Sequence, residues 1–161
     1  MIPDLTFISA PMVNQSDAPF RLLTRRYGAT LTYTQMLDSH RLLNDPDYLH
    51  LHLRDLQSAH PDWDAYTRPV VVQLCGNDPE VVVSAARCVE AYCDGIGEGG
   101  HTTTSSFTQV YSQSTLDLNL GCPQEHARQN HFGGYLLTKK DWPLVDSIGV
   151  WRHPQSSWPR F

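Results

Sequence analysis

The residues that could carry chemistry lie in four short segments, each at the end of a mainly apolar run. They are Pro11, Met12 and Val13, then Gln35 and Met36, then Gln73 and Cys75, and finally Asn119, Gly121, Cys122 and Pro123. Thiol, amide and polarizable side chains dominate this set, which has neither paired carboxylates nor a Ser, His and Asp order. The set therefore disfavours acyl transfer by a catalytic triad and glycoside hydrolysis.

The other cysteines have the sequence context of packing residues. Cys75, Cys88 and Cys93 lie among apolar residues, and we expect them to pack in the core. Cys88, Cys93 and His101 lack the spacing of a standard zinc site, so the sequence predicts no metal centre. Four cysteines in 161 residues are also too few for a disulfide-stapled secreted domain, which indicates reduced thiols.

Composition indicates one ordinary globular core. The chain has 40% hydrophobic and 18% charged residues. It has no apolar run near the roughly 18 residues of a membrane span and no signal-like start, which predicts no membrane partner and an intracellular location, cytoplasmic or nuclear. The formal net charge of −5 disfavours nucleic-acid binding through the overall field of this segment.

Two basic clusters and several histidines are predicted to lie on the surface. They are Arg21, Arg25, Arg26, Lys139 and Lys140 on solvated faces, and His40, His50, His52 and His60 on or beside a helix.

The apolar runs alternate between strand and helix patterns. Strands are predicted at 5–11, 30–36, 68–74 and 116–121. Helices are predicted after a cap at Ser16 or Asp17, ending at Gly28, then over 45–60, after Asp78 and Pro79, and from Asp141. The third strand, RPVVVQL, is apolar enough to be covered on both faces.

Four alternations with short connections predict parallel β/α units. An open doubly wound sheet and a (β/α)8 barrel both remain compatible with this pattern, but no G-x-G-x-x-G follows the first strand. The absence favours an α/β fold with about four β/α units of a partial (β/α)8 TIM barrel. In such a barrel the candidate residues lie together, because active sites form at the carboxyl ends of the strands.

Several motifs resemble the dihydrouridine synthase family. They are APMV at 10–13, VQLCG at 72–76, DLNLGCPQ at 117–124 and GGYLL at 133–137. The third motif, with Gly133 and Gly134 beyond it, is the specific one, whereas APM alone is weak. The resemblance covers 1–96 and 117–148, and YTQMLDSHRLL at 33–43 is most similar to eukaryotic members that modify the tRNA D-loop.

This resemblance implies a reaction and a set of site residues. The family reduces the C5=C6 bond of uridine in tRNA, using FMN that NADPH or NADH reduces again. The matching positions imply that Pro11, Met12 and Val13 lie under the FMN ring and that Gln73 hydrogen-bonds the flavin. They also imply that Asn119 lies near the uracil edge and that Cys122 is the catalytic cysteine.

The implied chemistry suits a cysteine. Hydride addition at C6 leaves negative charge on C5 and O4, so an acid must protonate C5 from the opposite face. A free thiol has a pKa of about 8.5 and is mostly protonated at neutral pH, so it can supply that proton. The role predicted for Cys122 is therefore that of an acid rather than a nucleophile.

The sequence departs from the family pattern in two places. Residues 97–116 form an unmatched Ser, Thr and Gly-rich insert, for which we expect an irregular, exposed conformation, with Leu116 replacing a displaced strand residue. Residues 149–161 replace the family sequence with an unrelated tail, so 1–148 corresponds to the N-terminal half of an FMN-binding TIM barrel. A truncated form of this kind is expected to be inactive, with open strand edges available for self-association.

Two other functions remain open at this stage. One is a non-catalytic fragment that acts only through binding. The other is a flavin barrel oxidoreductase that acts on free pyrimidines.

Overall fold

The computed structural model describes residues 5–57, 69–92 and 116–149. Cys93, His60 and His101 lie outside the described residues. So do the insert predicted at 97–116, apart from Leu116, and the tail predicted at 149–161, apart from Gly149.

The four strands form one parallel sheet in sequence order. They are β1 (Ile8–Ser9), β2 (Leu31–Asp38), β3 (Val70–Cys75) and β4 (Leu116–Leu118). Every neighbouring pair is parallel, with Ile8 beside Leu31, Thr32 beside Val70, and Val72 beside Leu116. The predicted α/β fold is confirmed, and its arrangement is that of part of a (β/α)8 barrel.

Six helices connect or follow the strands in the described residues. They are α1 (Ala18–Arg26), α2 (Ser39–Asn44), α3 (Pro46–Leu56), α4 (Pro79–Val89), α5 (Glu125–Gln129) and α6 (Trp142–Gly149), with 3-10 turns at Glu90–Tyr92 and Gly133–Leu136. Asp17, Asp45 and Asp78 accept hydrogen bonds from the first-turn N–H groups of α1, α3 and α4. Each of these helices also has a proline in its first turn, so their starts follow directly from the sequence.

Some element boundaries differ from the predicted ones. β1 has two residues instead of seven, and β4 ends at Leu118 instead of Gly121. The early end of β4 has a local cause, because the Asn119 side chain accepts from two following backbone N–H groups and turns the chain away. α2 was not predicted, although Asp38 caps it through the N–H of Arg41.

The two faces of β3 have different neighbours. One face packs against helices, and the other carries candidate site residues. All six of its residues are buried, as predicted for a strand covered on both sides. Val70, Val72 and Leu74 belong to the core formed with Leu37 and with apolar residues of α2, α3 and α4. Because side chains alternate along a strand, Val71, Gln73 and Cys75 lie on the opposite face.

β2 contains a bulge beside this second face. Tyr33 pairs with Val71, but the next pairing joins Met36 with Gln73, so β2 has one extra residue. Within the bulge, Thr34 Oγ1 accepts the backbone N–H of Gln73 at 3.2 Å. The bulge therefore places Met36 directly beside Gln73.

Two residues predicted to lie on the surface, Arg21 and His52, are buried. The Arg21 side chain is 2% exposed and bonds Asp55 Oδ2 at 2.8 Å, so its prediction was wrong. His52 is 6% exposed and has its ring 4.2 Å from that of Tyr48, so its prediction was also wrong. The burial of Arg21 depends on a contact between α1 and α3, which the helical period alone does not reveal.

Among the residues described, the helices are all too short or too polar to cross a membrane.

Candidate functional site

A row of side chains crosses the sheet at its carboxyl end. Gln73 on β3 is paired in register with Met36 on β2 and with Asp117 on β4. Asn119 follows Asp117 by two positions, so both lie on the face that Gln73 occupies. The ladder continues past β4, because the Asn119 N–H donates to the Leu74 carbonyl at 2.8 Å.

A continuous chain of hydrogen bonds joins these side chains to the cysteine loop. Gln73 Nε2 donates to Asp117 Oδ2 at 2.6 Å, and Gln73 Oε1 accepts from Asn119 Nδ2 at 2.9 Å. Asn119 Oδ1 then accepts the backbone N–H groups of Gly121 at 3.1 Å and Cys122 at 3.0 Å. The conformation of the loop that carries the thiol is therefore tied to the amide of Gln73.

The Cys122 loop is also supported from the other side. The Cys122 carbonyl accepts the N–H of Gly134 at 3.0 Å, and the Tyr135 hydroxyl donates to the Pro123 carbonyl at 3.0 Å. The half-buried Cys122 packs against an apolar cluster that contains Cys75, Ala127 and Phe132. This packing fixes the loop while the thiol keeps some exposure.

The loop after β1 is organised by a buried serine. Ser16 Oγ accepts the N–H of Met12 at 2.9 Å and donates to the Ala10 carbonyl at 3.0 Å. The N–H of Asn14 donates to Gln35 Oε1 on β2 at 3.0 Å. Met12 and Val13 are 39% and 52% exposed as whole residues on this fixed backbone, so they offer an apolar surface.

The two neighbouring thiols differ in their surroundings. Burial, with smaller contributions from the nearby Asp38 and Cys122, raises the pKa of Cys75 to about 12. Cys75 is therefore a packing residue, as predicted. Cys88 is exposed on α4, so the expectation that it packs in the core was wrong.

The predicted site residues occupy one end of the sheet. Gln73, Asn119 and Cys122 are brought together by direct hydrogen bonds. Pro11, Met12 and Val13 lie on the loop after β1, which leaves the same end because the strands are parallel. Asp117 was missed. Its position two residues before Asn119 on a predicted strand was the signal that could have found it.

A family model for dihydrouridine synthase matches residues 8–97, which is more than half of the chain. The chain belongs to the dihydrouridine synthase family.

Curated relatives agree with this family. The tRNA-dihydrouridine(16/17) synthase (NAD(P)(+)) of Saccharomyces cerevisiae is 38% identical over 143 residues, covering 89% of this chain and 27% of the relative. The tRNA-dihydrouridine(16/17) synthase (NAD(P)(+))-like protein of Mus musculus is 37% identical over 152 residues, covering 94% and 26%. The Schizosaccharomyces pombe tRNA-dihydrouridine(16/17) synthase (NAD(P)(+)) is 34% identical over 154 residues, covering 94% and 31%.

These alignments cover the chain and a minor part of each relative. The chain spans about a quarter to a third of the length of these three proteins.

Proposed function

We propose that this chain supplies the flavin contacts and the proton donor of an enzyme that reduces uridine to 5,6-dihydrouridine in the tRNA D-loop. The observation that carries the proposal is the hydrogen-bonded chain from Gln73 through Asn119 to the loop of Cys122. It holds a thiol and two amides at the carboxyl end of a parallel sheet, where barrel enzymes place their chemistry.

The residues at this end fit the chemistry of an FMN ring. Met12 and Val13 offer exposed apolar side chains on a backbone that Ser16 holds in place, which suits contact with a flat aromatic ring. Gln73 keeps a second N–H beyond the one it gives to Asp117, which suits a ring carbonyl. Pro11, Met12, Val13 and Gln73 are thus proposed to hold FMN, which when bound would supply hydride derived from NADPH or NADH.

Cys122 is proposed as the acid that protonates C5 of the target uracil. Its thiol carries a transferable proton, and its backbone is held by Asn119 and Gly134, so the proton is presented from one defined position. Asn119 has one N–H beyond the bond to Gln73, which can donate to a uracil carbonyl. Together they would orient the base and complete its reduction.

The names of the relatives support a proposal for which uridines of the tRNA are reduced. Three relatives at 34–38% identity are named for positions 16/17, whereas the human relative named for positions 20a/20b is 29% identical. We therefore propose uridines 16 and 17 as the targets. A tRNA substrate also supports an intracellular location, cytoplasmic or nuclear.

The division of the chain is also a proposal. We propose that 1–148 corresponds to the N-terminal half of an FMN-binding TIM barrel and that 97–116 interrupts it. The family match ends at residue 97, and Leu116 pairs with Val72 as the first residue of β4, which supports an interruption between these points. In the described sheet, β1 and β4 each pair on one side only, which would allow a second copy to associate.

The test uses a tRNA transcript without modifications, FMN and NADPH, with dihydrouridine measured by mass spectrometry of the nucleosides. We compare the 161-residue chain with a chimera that joins it to the C-terminal half of the S. cerevisiae relative, with and without 97–116. Because the chain matches 27% of that relative, we expect weak FMN binding and no dihydrouridine from the chain alone. We expect both FMN binding and dihydrouridine formation from the chimera that lacks 97–116.

Variants of the active chimera test the roles of residues. Cys122→Ala is expected to bind FMN and oxidise NADPH slowly, while dihydrouridine formation falls at least about 100-fold, the usual range for loss of a general acid. Cys88→Ala, which removes an exposed thiol on α4, is the matched control and should be unaffected. Transcripts in which cytidine replaces uridine at 16 and 17, or at 20a and 20b, test which uridines the chimera reduces.

Three outcomes would contradict the proposal. Equal reduction of free uracil and tRNA would favour an enzyme of free pyrimidines. Full activity of Cys122→Ala would remove the proton-donor role. A chimera that binds tRNA but forms no dihydrouridine under any condition would favour a binding function.

A further inference from the structure

We propose that Asp117 is a positioning residue that fixes the orientation of the Gln73 and Asn119 amides, so that both present N–H donors to carbonyl oxygens at the site. The inference rests on the proposed function for one point, namely that the carbonyl oxygens facing these donors belong to a uracil or a flavin ring. The orientation itself rests only on the hydrogen bonds within this chain.

The groups at the two ends of this hydrogen-bond network, the Asp117 carboxylate and two backbone N–H groups, force one arrangement of the amides between them. A carboxylate can only accept, so Asp117 requires the nitrogen of Gln73 on its side, which places the Gln73 oxygen toward Asn119. That oxygen requires a donor, so Asn119 must turn its nitrogen toward it. The Asn119 oxygen then meets two backbone N–H groups, which can only donate.

Reversing either amide would place like groups against each other. A reversed Gln73 would face Asp117 with its oxygen and Asn119 with its nitrogen. Because Gln73 is 6% exposed, water could not easily replace the lost partners, and unpaired buried polar groups are costly. Asp117 therefore fixes the Gln73 amide directly and, through Gln73 Oε1, supports the Asn119 orientation that the N–H groups of Gly121 and Cys122 also require.

The arrangement has a chemical consequence for recognition. Both lone pairs of Asn119 Oδ1 are used by Gly121 and Cys122, so this side chain has a donor left and no acceptor. Gln73 likewise keeps one N–H of its nitrogen. The remaining N–H of Asn119 matches a carbonyl oxygen of uracil and opposes the C4 amino group of cytosine, and the remaining N–H of Gln73 matches a carbonyl oxygen of the flavin ring.

The test follows exchange with solvent in the isotope-labelled 161-residue chain by NMR, so it needs neither flavin nor RNA. We measure two protons, the Gln73 Nε2 proton that bonds Asp117 and the backbone amide proton of Cys122. Asp117→Leu removes the acceptor at similar size, and Asp117→Asn leaves a weaker one. The matched control is Asp146→Asn, a loss of one charge at an exposed position of α6.

We expect Asp117→Leu to speed exchange of the Gln73 proton by about tenfold, which corresponds to the loss of one ordinary hydrogen bond. Exchange of the Cys122 proton should speed up by a smaller factor, because Asn119 still accepts it but is no longer supported by a fixed Gln73 oxygen. Asp117→Asn should give a smaller acceleration, and Asp146→Asn none. Asn119→Ala should speed exchange at Cys122 while the Gln73 proton stays protected, because the bond to Asp117 remains.

Unchanged exchange at Cys122 in Asp117→Leu would overturn the proposal, because the effect would then stop at Gln73. If Asp117→Leu does not fold, unchanged exchange of both protons in Asp117→Asn overturns it instead. In the active chimera, Asp117→Asn should lower the rate of uridine reduction and leave the KM for NADPH unchanged. A chimera without activity would refute the proposed function, while the exchange data still decide the role of Asp117.

Discussion

Gly133 lies directly against the backbone of Cys122. A Cβ atom at Gly133 would be 2.8 Å from the Cys122 carbonyl oxygen and 2.9 Å from Cys122 Cβ, both closer than real Cβ contacts. The backbone of Gly133 also has a φ of 65°, which favours glycine. The glycine is therefore required for both conformation and space.

Gly133→Ala is expected to lower the free energy of unfolding by about 2 kcal/mol or more, because strain at positive φ adds to a contact with the cysteine loop. Gly28→Ala isolates the conformational part, since Gly28 has a φ of 100° and nothing within 4 Å. Gly121→Ala, which also meets nothing within 4 Å, should be nearly neutral. Urea denaturation measures all three, and equal losses at Gly133 and Gly28 would argue against the steric contact.

The three described cysteines should differ in alkylation. Cys88 is exposed and Cys122 half-buried, so iodoacetamide at pH 8 should modify Cys88 first and Cys122 more slowly. Cys75 should stay unmodified until urea unfolds the chain, because burial raises its pKa to about 12 and blocks access. Peptide mass spectrometry measures the order. Modification of Cys75 in the folded chain at the rate of Cys88 would show that the strand end is open.

The buried ion pair of Arg21 and Asp55 should contribute more to stability than exposed pairs. Asp55 also accepts the N–H of Ala18 at 2.7 Å, so it joins α3 to the start of α1. Asp55→Ala leaves the Arg21 charge buried without its partner and should cost about 3 kcal/mol. The control is Glu125→Gln, which breaks the exposed pair with Arg128 and should leave the melting temperature nearly unchanged. Similar losses in both variants would contradict the buried role.

His52 should make the chain less stable in mild acid. Burial lowers its pKa, an effect that Asp55 opposes and Arg41 reinforces. The unfolded chain therefore takes up the proton first, so stability is full above the ordinary value of about 6.5 and falls as the pH drops below it. His52→Phe should lose less stability between pH 7 and pH 5 than the parent chain. His50→Gln, at an exposed position of α3, should keep the parent dependence, and identical curves for all three would refute the assignment.

Local signals made much of the fold predictable. Asp17, Asp45 and Asp78 precede helices that they cap, and the apolar run around Val72 indicated a strand buried on both faces. These features depend on a few neighbouring residues, so the sequence displays them directly.

The errors came from contacts between elements distant in sequence. The burial of Arg21 depends on Asp55, which is 34 residues away, and the bulge in β2 is defined only by its pairing with β3. At the site, the motif resemblance selected Gln73, Asn119 and Cys122, which the structure joins. The part played by Asp117 appears only when β3 and β4 lie side by side.

The bond between Gln73 and Asp117 also specifies how the fourth strand docks. β4 has three residues, Leu-Asp-Leu, and its two leucines would tolerate a shift of two positions along β3. Such a shift would place the Asp117 carboxylate beside the buried Val71 or Cys75 and would separate it from its amide donor. The hydrogen bond between these polar side chains thus favours one register of β4 against β3 when the sheet assembles. Loss of activity after a change at Gln73 or Asp117 would therefore combine misdocking with lost chemistry, and strand pairing should be checked before either residue is assigned to the reaction.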